Sequence, residues 1–389
     1  MLPQWMLEPD GTYLNHGTVG APPRRVLAAQ QAIRDEIERH PARFMLRELS
    51  GSMPAPWRTE PRIRDAARTV AAFVGARPED LAFVPNVTTG LNAVLQSVPL
   101  AAGDEILMTD LAYGAITIAA RFAAQPRGAV VRVLEMPFPL TAPEQAVEAI
   151  RGALTDRTAL VVIDHVTALS ALVLPVAAIA AVCHERGIPV LVDGAHAPGS
   201  IALDVPALGA DWYAANLHKW AHAPRSCGFL WAHPERQSGI HHPVVSWGFG
   251  LGFREEFEWS GTLDPSAPLA APEGIAALRD WGWTTVLDYM HGLAWEAGMR
   301  LTDRWGTALR TPREMIGAMV TVPLPADAGS NDADASRLRL ALLVEDRIEV
   351  QLHAWRGRLW TRVSAQIYNE PADIDRLADA VVRRLPPSR

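Results

Sequence analysis

Between about residues 60 and 235 the chain alternates short, β-rich apolar runs with stretches of helical periodicity. The β-rich runs fall at 81–85, 105–109, 129–134, 159–164, 188–193, 212–215 and 228–232. Helix-patterned stretches such as 142–154 and 176–186 separate the first five. Several runs, among them Ala159-Leu160-Val161-Val162-Ile163, are apolar at every position. A strand with one wet face alternates apolar and polar residues, so unbroken apolarity means cover on both faces. The pattern predicts a mostly parallel, seven-stranded α/β sheet. Ligands of such sheets sit beyond the carboxyl ends of the strands. Polar residues gather there: Asn86-Val87-Thr88-Thr89-Gly90, Asp110 to Tyr113, Asp164-His165-Val166-Thr167 and Asp193-Gly194-Ala195-His196.

After about residue 270 the pattern changes. A long helical region over 273–309 is followed by a strand near 319–323 and a helix near 336–344. Two strands, at 348–353 and 359–364, precede a last helix from Pro371. This predicts a separate, small α+β domain.

Composition narrows the classes of partner. The chain has 36 Lys and Arg against 43 Asp and Glu, a net charge of −7, and no concentrated basic tract. Nucleic acid and anionic membrane are disfavoured. Two cysteines, Cys183 and Cys227, make neither a disulfide framework nor a thiolate metal cluster. The first residues show no basic segment running into an apolar one, and the apolar stretch 171–183 is interrupted by Pro175 and too short for a bilayer. A cytoplasmic location is expected. Thirteen tryptophans hint at subunit contacts, where large rings bury much area.

Lys219, in Asn216-Leu217-His218-Lys219-Trp220, follows the run 212–215 and precedes a loop with Pro224 and Gly228. Most lysines are solvated surface residues. One held in a crevice at a sheet edge can lose its proton and form an imine. Asp193 ends a five-residue apolar run; it reads as a helix N-cap or as the carboxylate partner of a protonated ring nitrogen. Thr88 and Thr89 lie where a strand meets a helix, a place that suits a phosphate or a plain N-cap.

The motifs Asp193-Gly194-Ala195-His196-Ala197-Pro198-Gly199 and Asn216-Leu217-His218-Lys219-Trp220 together resemble the class V aminotransferase family of fold-type I pyridoxal-5′-phosphate (PLP) enzymes. The likeness is greatest to its isopenicillin N epimerase-like members. It runs from Leu14-Asn15-His16-Gly17 through Val245-Ser246-Trp247-Gly248 and Gly261-Thr262-Leu263-Asp264 to Arg362-Val363-Ser364. The resemblance implies a large PLP-binding domain over 20–270 and a small domain over 271–389 with 1–19. It implies Lys219 as the Schiff-base lysine and Asp193 as the partner of the ring nitrogen. Thr88, Thr89 and His218 would hold the phosphate, and Thr262 would reach a phosphate across a homodimer interface. His196 would meet the ring hydroxyl, Tyr113 would stack on the ring, and Thr167 would also touch the cofactor. Arg362, with Asn15, would clamp a substrate α-carboxylate. His196, His218 and Tyr113 also read as core residues, and Arg362 as a surface one.

Two positions depart from desulfurase-like members. Ala168 stands where an asparagine is usual, and Ser170-Ala171 replaces a Thr-Gly pair. A cysteine on a late mobile loop is missing too, since none follows Cys227; both cysteines read as packing. Persulfide chemistry on a cysteine is therefore not expected. Epimerisation at Cα is the preferred reaction, by resemblance, then β-elimination or C–S lysis, then transamination. Racemisation needs a second acid/base, for which Tyr113 and His196 are candidates. Arg43, Arg47 and Arg254 are candidate contacts for the distal part of a substrate, and each reads equally as a surface residue. From other classes, a metal-dependent hydrolase could use His218 and His222 with Asp193 and His196, although no Glu of the zincin type lies between the histidines. A non-catalytic PLP-binding protein is the remaining alternative. No metal is expected.

Overall fold

The computed structural model describes residues 1–51 and 60–385. A seven-stranded sheet comprises β1 (Leu81–Val84), β2 (Glu105–Thr109), β3 (Val130–Leu134), β4 (Thr158–Asp164), β5 (Val190–Asp193), β6 (Trp212–Asn216) and β7 (Gly228–Ala232). Their order is β1-β7-β6-β5-β4-β2-β3, and all neighbours are parallel except the two pairs made by β7. This is the α/β sheet expected of fold-type I, with strand ends within two residues of the predicted ones.

Double cover explains the apolar runs. Leu160 and Val162 of β4 pack beneath helices Val87–Ser97 and Gly114–Ala124. Val161 and Ile163 pack on the other side, beneath helix Val176–His184. None of the four is more than 1% exposed. Each buried side chain of this size contributes about 1.5–3 kcal/mol. Asp164 and Asp193 end β4 and β5 as register partners. By strand alternation they lie on the Leu160, Val162 and Leu191 face, the one covered by helix Val87–Ser97.

A second sheet comprises β8 (Met319–Pro323), β9 (Gln351–Trp355) and β10 (Arg358–Ser364), antiparallel and ordered β9-β10-β8. Leu359 and Val363 of β10 enter a core with Val320, Leu342 and Ile374. Alternation therefore puts Arg358, Trp360 and Arg362 on the opposite face. Residues Thr12–Tyr13 pair in parallel with Ile348–Glu349, and Leu14 enters that same core. The helical region expected over 273–309 is two helices, Ser266–Asp280 and Trp283–Trp305. The break is at Gly282, whose φ of +80° is left-handed backbone that glycine adopts without a Cβ clash. Apolar periodicity continues across the break and hides it. Among the described residues, no helix is long and apolar enough to cross a membrane.

Candidate active site

The segment 217–227, between β6 and β7, carries Lys219 over the carboxyl ends of β4 and β5. The N-terminal motif fixes this segment from outside. His16 bonds the Lys219 carbonyl through Nε2 at 3.0 Å and the Tyr368 hydroxyl through Nδ1 at 3.0 Å. Gly194, directly after Asp193, lies against the buried Tyr213 ring, and a Cβ there would come within 2.2 Å of it. Close packing thus explains the glycine in the aspartate motif. Tyr213 is itself tied to His165 Nδ1 at 2.9 Å.

Lys219 Nζ lies 3.0 Å from His196 Nε2. Trp220 Nε1–H donates to His196 Nδ1 at 3.4 Å. A neutral imidazole that accepts on Nδ1 carries its proton on Nε2, so Lys219 accepts from it as a free amine. The surroundings favour that state. Burial, then the charge of Arg362, brings Lys219 down to about 7, although Asp193 and Asp164 pull the other way. Burial first, and Lys219 next, hold His196 well below the usual histidine range. Burial raises Asp193 to about 6, against an Ala195 N–H that donates to its Oδ1 at 2.9 Å. Burial, then the charge of Asp193, raises Asp164 well above the usual carboxylate range.

Arg362 is 3% exposed. Its Nη2 donates to Thr18 Oγ1 at 2.9 Å and Asn15 Oδ1 at 3.3 Å, and its Nη1 donates to the Ala168 carbonyl. Its Nε–H has no partner among the described residues. All its partners are neutral oxygens, and burial lowers its pKa to about 10. A buried guanidinium without an anion is costly, several kcal/mol in order of magnitude. The arrangement fits a carboxylate that arrives with a ligand.

The start of helix Val87–Ser97 faces the same strand ends. Asn86 Oδ1 accepts from Thr89 N–H at 3.0 Å, and Asn216 Oδ1, at the end of β6, accepts from Val87 N–H at 2.9 Å. Thr88 and Thr89 stay partly exposed above this capped turn. His218 is half-buried with Nδ1 2.9 Å from the Cys227 carbonyl, which turns Nε2 away from that bond. Tyr113 is half-exposed at the start of helix Gly114–Ala124. Thr262 is exposed, in the loop before helix Ser266–Asp280. Thr167 differs from its expected use. It is fully buried, its hydroxyl 2.7 Å from Ser170 Oγ and accepting from Leu172 N–H at 2.8 Å. Its side chain builds the turn that presents the Ala168 carbonyl to Arg362.

The remaining candidates lie apart from these contacts. Arg43 pairs with Glu48 at 2.6 Å, Arg254 pairs with Glu255 at 3.4 Å, and Arg47 is exposed. His218 and His222 sit in a loop rather than on one helix face, and His222 is packed among Trp5, His16 and Trp281. Among the described residues no cluster of His, Cys, Asp or Glu has the makings of a metal site. Cys183 and Cys227 are buried, and burial raises Cys183 to about 12 and Cys227 further. Neither is a thiolate at neutral pH.

The model of the class V aminotransferases matches residues 23–377. The chain belongs to the class V aminotransferase family. Its members use PLP, and the chain is a PLP-dependent enzyme. It is 32% identical to a probable chloroplastic L-cysteine desulfhydrase of Arabidopsis thaliana, over 96% of this chain and 83% of that protein. It is 34% identical to an isopenicillin N epimerase of Amycolatopsis lactamdurans, over 97% of this chain and 96% of that one. A solved complex of a cystine C–S lyase with its product cysteine persulfide superposes with a TM-score of 0.79 at 22% identity, covering 97% of this chain and 99% of that one. That likeness concerns the fold.

The residues present fit PLP. A free amine, a buried carboxylate on the neighbouring strand end and a capped helix start with two threonines face one another, and Arg362 waits without an anion. Sequence reading gave no role to three members of this cluster. Trp220 sets the His196 tautomer, Asp164 lies beside Asp193, and Thr18 holds Arg362. Asp164 had a signal, since it ends an apolar run as Asp193 does.

Proposed function

We propose that this enzyme removes the Cα proton of a small amino acid and expels a sulfur substituent from Cβ, as a C–S lyase. When bound, the cofactor supplies an electron sink that acidifies the Cα–H bond. Lys219 is assigned the Schiff base, Asp193 the ring nitrogen, His196 the ring hydroxyl, and Thr88, Thr89 and His218 the phosphate. Tyr113 is assigned to the ring face. Arg362, steered by Asn15 and Thr18, receives the α-carboxylate and orients Cα toward Lys219. The freed Lys219 amine takes the Cα proton. The C–H electron pair becomes a Cα=Cβ bond as the Cβ–S bond breaks, and Lys219 returns the proton to the departing sulfur.

The observation that carries this reading is the Lys219–His196–Trp220 chain, which delivers one amine in its basic form. Elimination needs one such group; epimerisation needs two, on opposite faces. Support also comes from the buried, high-pKa cysteines, which leave the sulfur to depart as a free thiol or sulfide. The L-cysteine desulfhydrase relatives accord with it. Epimerisation, preferred on sequence, is the second reading. It is favoured by Tyr113, which stands at the start of helix Gly114–Ala124 with its ring half-exposed, where it could return a proton.

A panel of amino acids incubated with PLP-loaded enzyme in D₂O, followed by mass spectrometry, separates the two. Pyruvate, ammonia and a released thiol or sulfide are expected. Deuterium at Cα of an intact, inverted amino acid would replace this reading with the epimerase. The small domain is proposed to comprise 271–389 with 1–19, joined through the strand pair at Thr12–Tyr13. A homodimer in the cytoplasm completes the proposal. Exposed Val245, Trp247, Phe249 and Leu251, with Leu263 beside Thr262, make an apolar surface suited to a second copy.

A further inference from the structure

A cavity of about 530 Å³ lies between the loop after β3 and the face of the small sheet that also bears Arg362. Phe138, Trp305 and Trp360 supply aromatic wall, and Arg310, Arg356 and Arg358 supply charge. No lining residue is acidic, which stands out in a chain of net charge −7. Arg356 is neutralised by Asp110 at 2.8 Å and Glu135 at 3.6 Å. Arg358 is not. Its Nη2 donates to the Leu324 carbonyl at 2.7 Å, and its buried Nε–H has no partner among the described residues. The guanidinium lies 5.4 Å from the centre of the Trp360 ring, which Phe138 meets edge-on at 5.3 Å. Arg310 is exposed.

These features have one chemistry in common. Unneutralised guanidinium groups beside aromatic faces select a ligand with both a ring and a negative charge. The volume falls within the range of about 300–1,000 Å³ usual for small-molecule sites, and the junction of two domains is a common place for one. The cavity is separate from Lys219. Four residues of extended strand, about 13 Å, part Arg358 from Arg362. The turn 167–170 closes the gap, with Thr321 of the cavity wall donating to the Leu169 carbonyl at 2.6 Å.

We propose that this cavity is a second binding site, for a flat aromatic anion. An aryl ring would lie against Trp360 and Phe138, with its phosphate or carboxylate on Arg358 and Arg310.

The test is calorimetric titration of the PLP-loaded full chain with 1-naphthyl phosphate, with 1-naphthol and inorganic phosphate as the two halves of the probe. The whole probe is expected to bind at least about tenfold more tightly than either half. Arg358→Gln should cost about tenfold for the phosphate ester and leave 1-naphthol unchanged, as removal of a charge-assisted contact does. Trp360→Leu should weaken both. Arg358 also bonds a backbone carbonyl, so Arg310→Gln, at an exposed position, repeats the test should the first variant not fold; a severalfold loss is expected. Three results would overturn the proposal: no heat with the wild-type chain, wild-type affinity in both arginine variants, or binding that perturbs the absorbance of the lysine-bound cofactor. The last would place the probe at Lys219.

Discussion

The amine of Lys219 is brought to about 7 by burial and by Arg362. Only a free amine attacks a carbonyl, so the apo chain should capture PLP at a rate that rises through pH 7 and then levels off. A solvated lysine would keep accelerating toward pH 10. Stopped-flow absorbance across pH 5.5–10 reads the midpoint directly, and one above about 9 would contradict the environment described for Lys219. Lys219→Ala should abolish the band of the lysine-bound cofactor; a surviving band would sink the assignment. At Arg362 the expected signature is different. Arg362→Ala should raise KM for the amino acid by about a hundredfold, the worth of a charge-assisted carboxylate contact, with the cofactor band retained. Equal loss of cofactor and substrate would deny it the carboxylate role. Lys219 and Asp193 were legible in sequence because each sits in a short local motif. Thr18 was not, because it acts on a guanidinium 344 residues away.

Strands were the most legible elements. Cover on both faces demands unbroken apolar residues, and β7, Gly228–Ala232, begins and ends where that pattern does. Turns were less so. The turn 167–170 uses Thr167 and Ser170 for its own hydrogen bonds, and sequence alone does not say whether a hydroxyl faces a ligand or its neighbour. The end of β5 allows a sharp test of how an element positions chemistry. A Cβ on Gly194 would meet the Tyr213 ring at 2.2 Å, and that ring is fully buried and bonded to His165. The ring has no room to swing away, so the strand end must move and take Asp193 with it. Gly194→Ala should cost about 1–3 kcal/mol in urea unfolding, typical of overpacking, and loosen cofactor retention. Wild-type stability and retention would mean that the glycine is not a packing requirement.

Across the whole molecule, five buried histidines share one response to acid. His16, His165, His196, His222 and His353 are each less than 9% exposed, and burial is the first cause of a lowered pKa in every case. The unfolded chain binds a proton at each near pH 6.5, and the folded chain resists until far lower. Unfolding therefore takes up protons below pH 6.5, and stability falls as pH falls. Asp164 and Asp193 act in the opposite sense, since their raised pKa values let the folded state take protons first. Five groups outweigh two, so net acid sensitivity is expected. His353 isolates one contribution. It lies on β9 with both ring nitrogens unpartnered among the described residues, and burial, then Arg362, lowers it to about 4. Its penalty is absent above pH 6.5, grows as pH falls, and is complete near pH 4. His353→Gln removes the titration and keeps a polar side chain of similar reach. Its stability relative to wild type should improve by about 2 kcal/mol between pH 7.5 and 4.5, close to 1.4 kcal/mol per pH unit once below 6.5. Urea unfolding at the two pH values measures this difference. A gap between variant and wild type that stays constant with pH would mean that the folded chain protonates His353 as readily as the unfolded one does.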